Sequence, residues 1–78
     1  MVTEIELDKF LDKVERLGHD IRYAGISASG SAEVGIDKGW AEDFDEEWDY
    51  KIERLAGMMF LDYHLNSVSD NFMSIMLF

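Results

Sequence analysis

Ser67-Val68-Ser69-Asp70-Asn71-Phe72-Met73-Ser74-Ile75-Met76-Leu77-Phe78 decides how many strands this chain has. Residues 72–78 are almost wholly apolar, which suits a buried strand. Ser67, Asp70, Asn71 and Ser74 also recur on one helical face, with Val68, Phe72, Ile75 and Met76 opposite. A short apolar run carries no period of its own, so its neighbours must decide. The polar recurrence favours a short C-terminal helix, with a third strand as the alternative.

The segment before it reads as a long helix starting after Gly39. Phe44, Trp48, Ile52, Leu55, Met59 and Tyr63 form a stripe of period near 3.6. Asp43 followed by Glu46 has the spacing of a capping pair. Met58, Phe60 and Leu61 make the far end apolar nearly all round, and Gly57 sits inside it. Such a stretch is either buried or covered by another chain.

Earlier still, Ile21, Tyr23, Ile26, Val34 and Ile36 are β-formers around Ser29-Gly30. A turn centred on Ser29-Gly30 predicts a hairpin with Tyr23 opposite Ile36 and Gly25 opposite Val34. Ile21, Tyr23, Val34 and Ile36 then share one face with Ala32, while Arg22, Glu33 and Asp37 point away. The first helix is the clearest element. Thr3 and Glu6 make a capping box, and Val2 and Leu7 occupy the positions of a hydrophobic staple. Leu7, Phe10, Leu11, Val14 and Leu17 form its stripe, and Gly18 ends it. The expected class is α+β: N-terminal helix, β-hairpin, long acidic-start helix and short C-terminal helix. Neither internal repeats nor linkers are visible.

Seventy-eight residues suit one small domain. Hydrophobic residues are 47% and aromatics 13%, too rich for a disordered acidic tail. The longest apolar runs fall far short of the ~20 residues of a membrane span. Neither a basic-then-apolar leader nor a cysteine is present, so a cytoplasmic protein is expected.

Charge is the strongest functional signal. The chain carries 17 Asp+Glu against 7 Lys+Arg, a formal charge of -10. Such a surface repels nucleic acid and anionic membrane, and it attracts basic grooves. Lys9, Lys13, Arg16 and Arg22 are interrupted by Asp8, Asp12 and Glu15, so direct nucleic-acid binding is not expected. The acid is concentrated at residues 42–49, where Glu42, Asp43, Asp45, Glu46, Glu47 and Asp49 surround Phe44 and Trp48.

That run is not a calcium loop. The sixth position from Asp43 is Trp48 and the twelfth is Arg54, where a loop needs glycine and an acid. No metal or cofactor is expected. Carboxylates on an exposed helix do not converge as acid–base catalysis requires. His19 and His64 fall near helix ends, where a cation suits the dipole. Ser27, Ser29 and Ser31 have no histidine beside them, and Gly30 belongs to no phosphate-binding loop. The expectation is therefore a binding protein and not an enzyme. Its contact set would be Trp40, Glu42, Asp43, Asp45, Glu46, Glu47, Asp49 and Tyr50, with Trp40 and Tyr50 off the core stripe as anchors. A second expectation is a homodimer through Met58, Phe60, Leu61, Met73, Met76, Leu77 and Phe78, which exceed what one small core easily buries.

Gly39-Trp40 followed by Asp45-Glu46-Glu47-Trp48-Asp49-Tyr50 resembles a pattern in small acidic phage anti-CRISPR proteins. These block type II effector nucleases. The resemblance implies an N-terminal helix, a small sheet and C-terminal helices. It also implies that Asp43, Asp45, Glu46, Glu47 and Asp49 face arginines and lysines of the site where the nuclease reads duplex DNA. The partner would be a basic nucleic-acid-binding protein, such as a CRISPR effector nuclease, in the host cytoplasm.

Overall fold

The computed structural model describes residues 1–38, 46–69 and 71–78, with residues 46–49 described by their backbone only. The order is α1 (Glu4–Arg16), β1 (Asp20–Ile26), β2 (Ala32–Asp37), α2 (Glu46–Met58), β3 (Tyr63–Val68) and β4 (Phe72–Leu77). The strands form one antiparallel sheet in the order β1-β2-β4-β3. The class is α+β, as the pattern implies, but the chain ends in a second hairpin.

The short C-terminal helix favoured over a third strand is therefore corrected to strand, β4 at Phe72–Leu77. Met73, Ile75 and Leu77 are fully buried on the helix-facing side, opposite Ile36, Val34 and Ala32. Their spacing of two is a strand period. It is masked in the sequence because the intervening outward residues, Phe72, Ser74 and Met76, include two large apolar ones. Of the C-terminal helices implied by the anti-CRISPR resemblance, the described residues hold α2, followed by strands β3 and β4.

α1 forms as its sequence dictates. The Glu6 amide donates to Thr3 Oγ1 at 3.2 Å, and the Thr3 amide donates to Glu6 Oε1 at 3.0 Å. Val2 and Leu7 are both buried, as a staple requires. Phe10 and Val14 are completely buried.

The first hairpin exists, but its register differs by one residue. The Ser27 amide donates to the Ser31 carbonyl at 2.7 Å, and the Gly30 amide to the Ser27 carbonyl at 3.0 Å. Gly30 has φ +88°. This is a three-residue loop, a turn closed by a left-handed glycine, in place of the two-residue turn expected. Tyr23 consequently lies opposite Gly35, and Ala24 opposite Val34. The shift sends Tyr23 to the other face. A bulge between Ile21 and Tyr23 sets Ile21 opposite Ile36 and keeps it packed against the core, on the face expected for it.

α2 stops sooner than the stripe to Tyr63 suggests. The Leu61 amide donates to the Ala56 carbonyl and the Phe60 amide to the Gly57 carbonyl, at 2.9 and 3.0 Å. These two bonds define a Schellman ending, with Phe60 at the left-handed position, φ +59°. Leu61 turns inward and Tyr63 starts β3.

Both helices cover the same face of the sheet. Phe10 and Val14 from α1, and Ile52 and Ala56 from α2, join Val34, Ile36, Met73, Ile75 and Leu77 in one core. The chain thus repeats helix–strand–strand twice, although the two halves share no obvious sequence repeat. The halves meet where β2 lies against β4. Among the described residues, no helix is long and apolar enough to cross a membrane.

Candidate partner-binding surface

The sheet face away from the helices carries a connected polar–aromatic cluster. Arg22 grips Asp37 with two hydrogen bonds, Nε to Oδ2 at 3.2 Å and Nη2 to Oδ1 at 2.5 Å. Its guanidinium also lies 4.4 Å from the centre of the Phe72 ring. Tyr23 tilts against the same ring at 6.2 Å, and its hydroxyl is 3.2 Å from Ser74 Oγ. Gly35 permits this: a Cβ built there would overlap the Tyr23 ring. The sequence pattern placed Arg22, Glu33 and Asp37 outward, but not Tyr23 or Phe72. Only the one-residue register change and the fourth strand bring those two rings together.

His19 departs from the cation expected after Gly18. It is buried, with Nδ1 3.0 Å from the Lys38 carbonyl, which it must donate to. Burial pushes its pKa below the usual 6.5, against smaller opposing pulls from that hydrogen bond and from Asp20. The unfolded chain therefore takes up the proton first on acidification. The stability this contributes is full above about pH 6.5 and is lost as pH falls through that value towards the lower folded pKa. The urea midpoint should drop between pH 7.5 and pH 5.5, and the imidazole should titrate below the ordinary range in an NMR pH series. An unshifted titration would contradict this. His64 lies exposed on β3 and not at a helix end.

The acidic contact set is only partly placed. Trp40, Glu42, Asp43 and Asp45 lie outside the described residues. Glu46, Glu47 and Asp49 fall in the first turn of α2, where negative charge favours the helix dipole. Tyr50 is 61% exposed. A second acidic row, which the sequence pattern did not single out, follows α1. Glu4, Asp8 and Asp12 succeed one another at one-turn spacing, about 6 Å of rise each, and Glu15 continues the row. All four are exposed, as are Asp20, Glu33, Glu53 and Asp62. The ion pairs among the described residues are Asp12–Arg16 at 2.9 Å and Arg22–Asp37. The first is exposed and worth at most about 1 kcal/mol.

The dimer set divides. Leu61, Met73 and Leu77 are core residues, so they are not available to a partner. A four-stranded sheet has a larger inner face than the two-stranded one expected, and it absorbs them. Met76 is half-buried on the outer face. Met58, Phe60 and Phe78 are 63%, 97% and 47% exposed.

Among the described residues, no three His, Asp or Glu side chains gather as metal ligands would. The hydroxyls of Ser27, Ser29 and Ser31 hydrogen-bond to one another at 2.7–3.2 Å, which ties the hairpin loop together. No protein-family model, curated protein or solved structure matches the chain.

Proposed function

We propose that this chain is a small acidic protein-binding inhibitor. In this reading it is not an enzyme. Its carboxylates stand in for nucleic-acid phosphates in the basic site of a partner, as in the anti-CRISPR proteins its acidic run resembles. The partner class is a basic nucleic-acid-binding protein, a CRISPR effector nuclease among the candidates. The observation that carries the reading is the charge of -10 together with exposed carboxylates distributed over α1, β2 and α2. Few of these carboxylates are neutralised within the described chain. Unpaired charge of one sign destabilises a small fold through self-repulsion, and it becomes favourable against an opposite surface. The acidic start of α2, with Glu46, Glu47 and Asp49, is the segment proposed to lead the contact, and Trp40 and Tyr50 are the aromatic members proposed for the same contact set.

The test titrates the protein into DNA-binding nucleases holding labelled DNA, at low and moderate salt. One nuclease is expected to release its DNA at stoichiometric inhibitor, with affinity falling as salt rises. The Asp45→Asn/Glu46→Gln/Glu47→Gln variant should bind about tenfold or more weakly while its circular dichroism is unchanged. Full inhibition by the folded variant rejects the reading.

A second reading rests on Phe60 and Met58. Two large apolar side chains this exposed would suit a homodimer contact that includes Phe78. Sedimentation across a wide concentration range separates it from the first reading.

A further inference from the structure

The acidic run is not the only surface with a physical claim on a partner. β1 is an edge strand, and among the described residues its second half lacks the features that normally protect one. Edge strands are blunted by lysine, proline, bulges or cover from another element. The bulge in β1 lies at its start, between Ile21 and Tyr23, which leaves Tyr23–Ala24–Gly25–Ile26 as a regular run up to the turn. That run is exposed and bears no charge. The opposite edge, β3, has its bulge within the strand, between Leu65 and Ser67, and presents His64, Asn66 and Ser67 to solvent.

The hydrogen-bond pattern says which groups are on offer. Ser27 donates its amide to Ser31 across the turn. An antiparallel ladder alternates, so Gly25 exchanges hydrogen bonds with Glu33. Ala24 and Ile26, opposite Val34 and Ala32, then turn their N–H and C=O groups to the free side. Together they present two donors and two acceptors to an added strand.

A groove flanks this edge on each face. Tyr23, Ser27, Glu33 and Met76 line the outer one; Glu4, Leu7 and Asp8 of α1 line the inner one. Ala24, Gly25 and Ile26 border both, and the space around Gly25 is open. Paired grooves are what an added strand needs, because its successive side chains point to alternate faces. Each groove is part apolar and part acidic, and neither is lined by lysine or arginine.

We propose that the outer edge of β1 takes an extended segment of a protein partner as a fifth strand, and that this segment alternates lysine or arginine with aliphatic residues. Charge chooses the occupant. Basic side chains meet Glu33 on one face and Glu4 or Asp8 on the other. A second copy of this chain would bring its own Glu4, Asp8 and Glu33 towards those flanking the first, with -10 on each molecule. The inference does not rest on the acidic run at residues 42–49.

The test uses a short, end-blocked peptide alternating lysine and valine. Its controls are a peptide of the same composition with the valines grouped together and a glutamate–valine counterpart. Binding is measured by calorimetry, and amide exchange at Ala24 and Ile26 by NMR. The alternating basic peptide should bind and protect those two amides; the glutamate peptide should do neither. Ala24→Pro removes an outward N–H that takes no partner among the described residues, so it should keep the native spectrum and bind about tenfold more weakly. Glu33→Lys with Asp8→Lys, two exposed positions, provides a variant independent of the backbone and should weaken binding at least as much. The Asp45/Glu46/Glu47 amide variant should still protect the two amides, which separates this site from the acidic run. Equal binding of the grouped peptide without protection at Ala24 and Ile26 would reduce the effect to diffuse attraction and overturn the proposal. So would protection that grows with protein concentration in the absence of peptide, which would mean self-pairing. Unchanged binding by folded Ala24→Pro would overturn it as well.

Discussion

Leu77→Asp is expected to leave most of the chain unfolded at 25 °C, whereas Met58→Asp should change stability by less than about 0.5 kcal/mol. Leu77 is fully buried on β4, opposite Ala32 on one side and Tyr63 on the other. Losing its burial costs about 1.5–3 kcal/mol. The carboxylate adds the cost of a polar group placed in an apolar core without partners, about 2 kcal/mol or more even when protonated. A domain this small has roughly 4–12 kcal/mol in total, and the lower end suits one with a large unbalanced charge. Met58 is 63% exposed at the end of α2, so an added carboxylate there stays in water. Urea titrations followed by far-UV circular dichroism compare the two variants. A folded Leu77→Asp protein that had only lost self-association would instead place Leu77 at an interface.

Phe60→Gly should raise stability by about 1 kcal/mol, which is a rise of roughly 4–8 °C in the melting temperature of a domain this size. Phe60 occupies the left-handed position that ends α2, at φ +59°. The corresponding residue after α1 is Gly18, at φ +98°. A bulky side chain with positive φ is strained, because its Cβ crowds the backbone. Phe60 recovers little by burial, since it is 97% exposed. Removing the ring therefore relieves strain and loses few contacts. The greater freedom of glycine in the unfolded chain offsets part of the gain. A thermal melt decides the sign. A lower melting temperature would show that the ring makes a stabilising contact within the molecule.

These same residues explain which parts of the fold were legible in the sequence. α1 was readable because its capping box, staple and stopping glycine all agree. The hairpin at Ser29-Gly30 was readable as a hairpin, but its register depended on a three-residue loop and a bulge at Arg22. Neither leaves a distinct mark in a strand rich in small residues. The end of α2 was hidden because the left-handed position holds phenylalanine and not glycine, so the apolar stripe runs on in sequence to Tyr63. β4 was hidden because Phe72 and Met76 face outward beside Arg22 and Tyr23, which erased the alternation that marks a half-buried strand. Of the candidate surface, charge was evident from composition alone. The free edge of β1 was not, since an edge exists only once strand order is known.

The seam between β2 and β4 has a consequence for how the chain finds its structure. Each hairpin joins strands that are near neighbours along the backbone. The seam instead joins residues such as Asp37 and Phe72, 35 positions apart, and Ala32 and Leu77, 45 apart. Loop closure grows more costly in entropy with the number of residues enclosed, and non-local pairing slows folding. All of the long-range strand pairing is concentrated in this one pair. The contact that makes two helix–hairpin halves into a single molecule is thus the one the polymer takes longest to form.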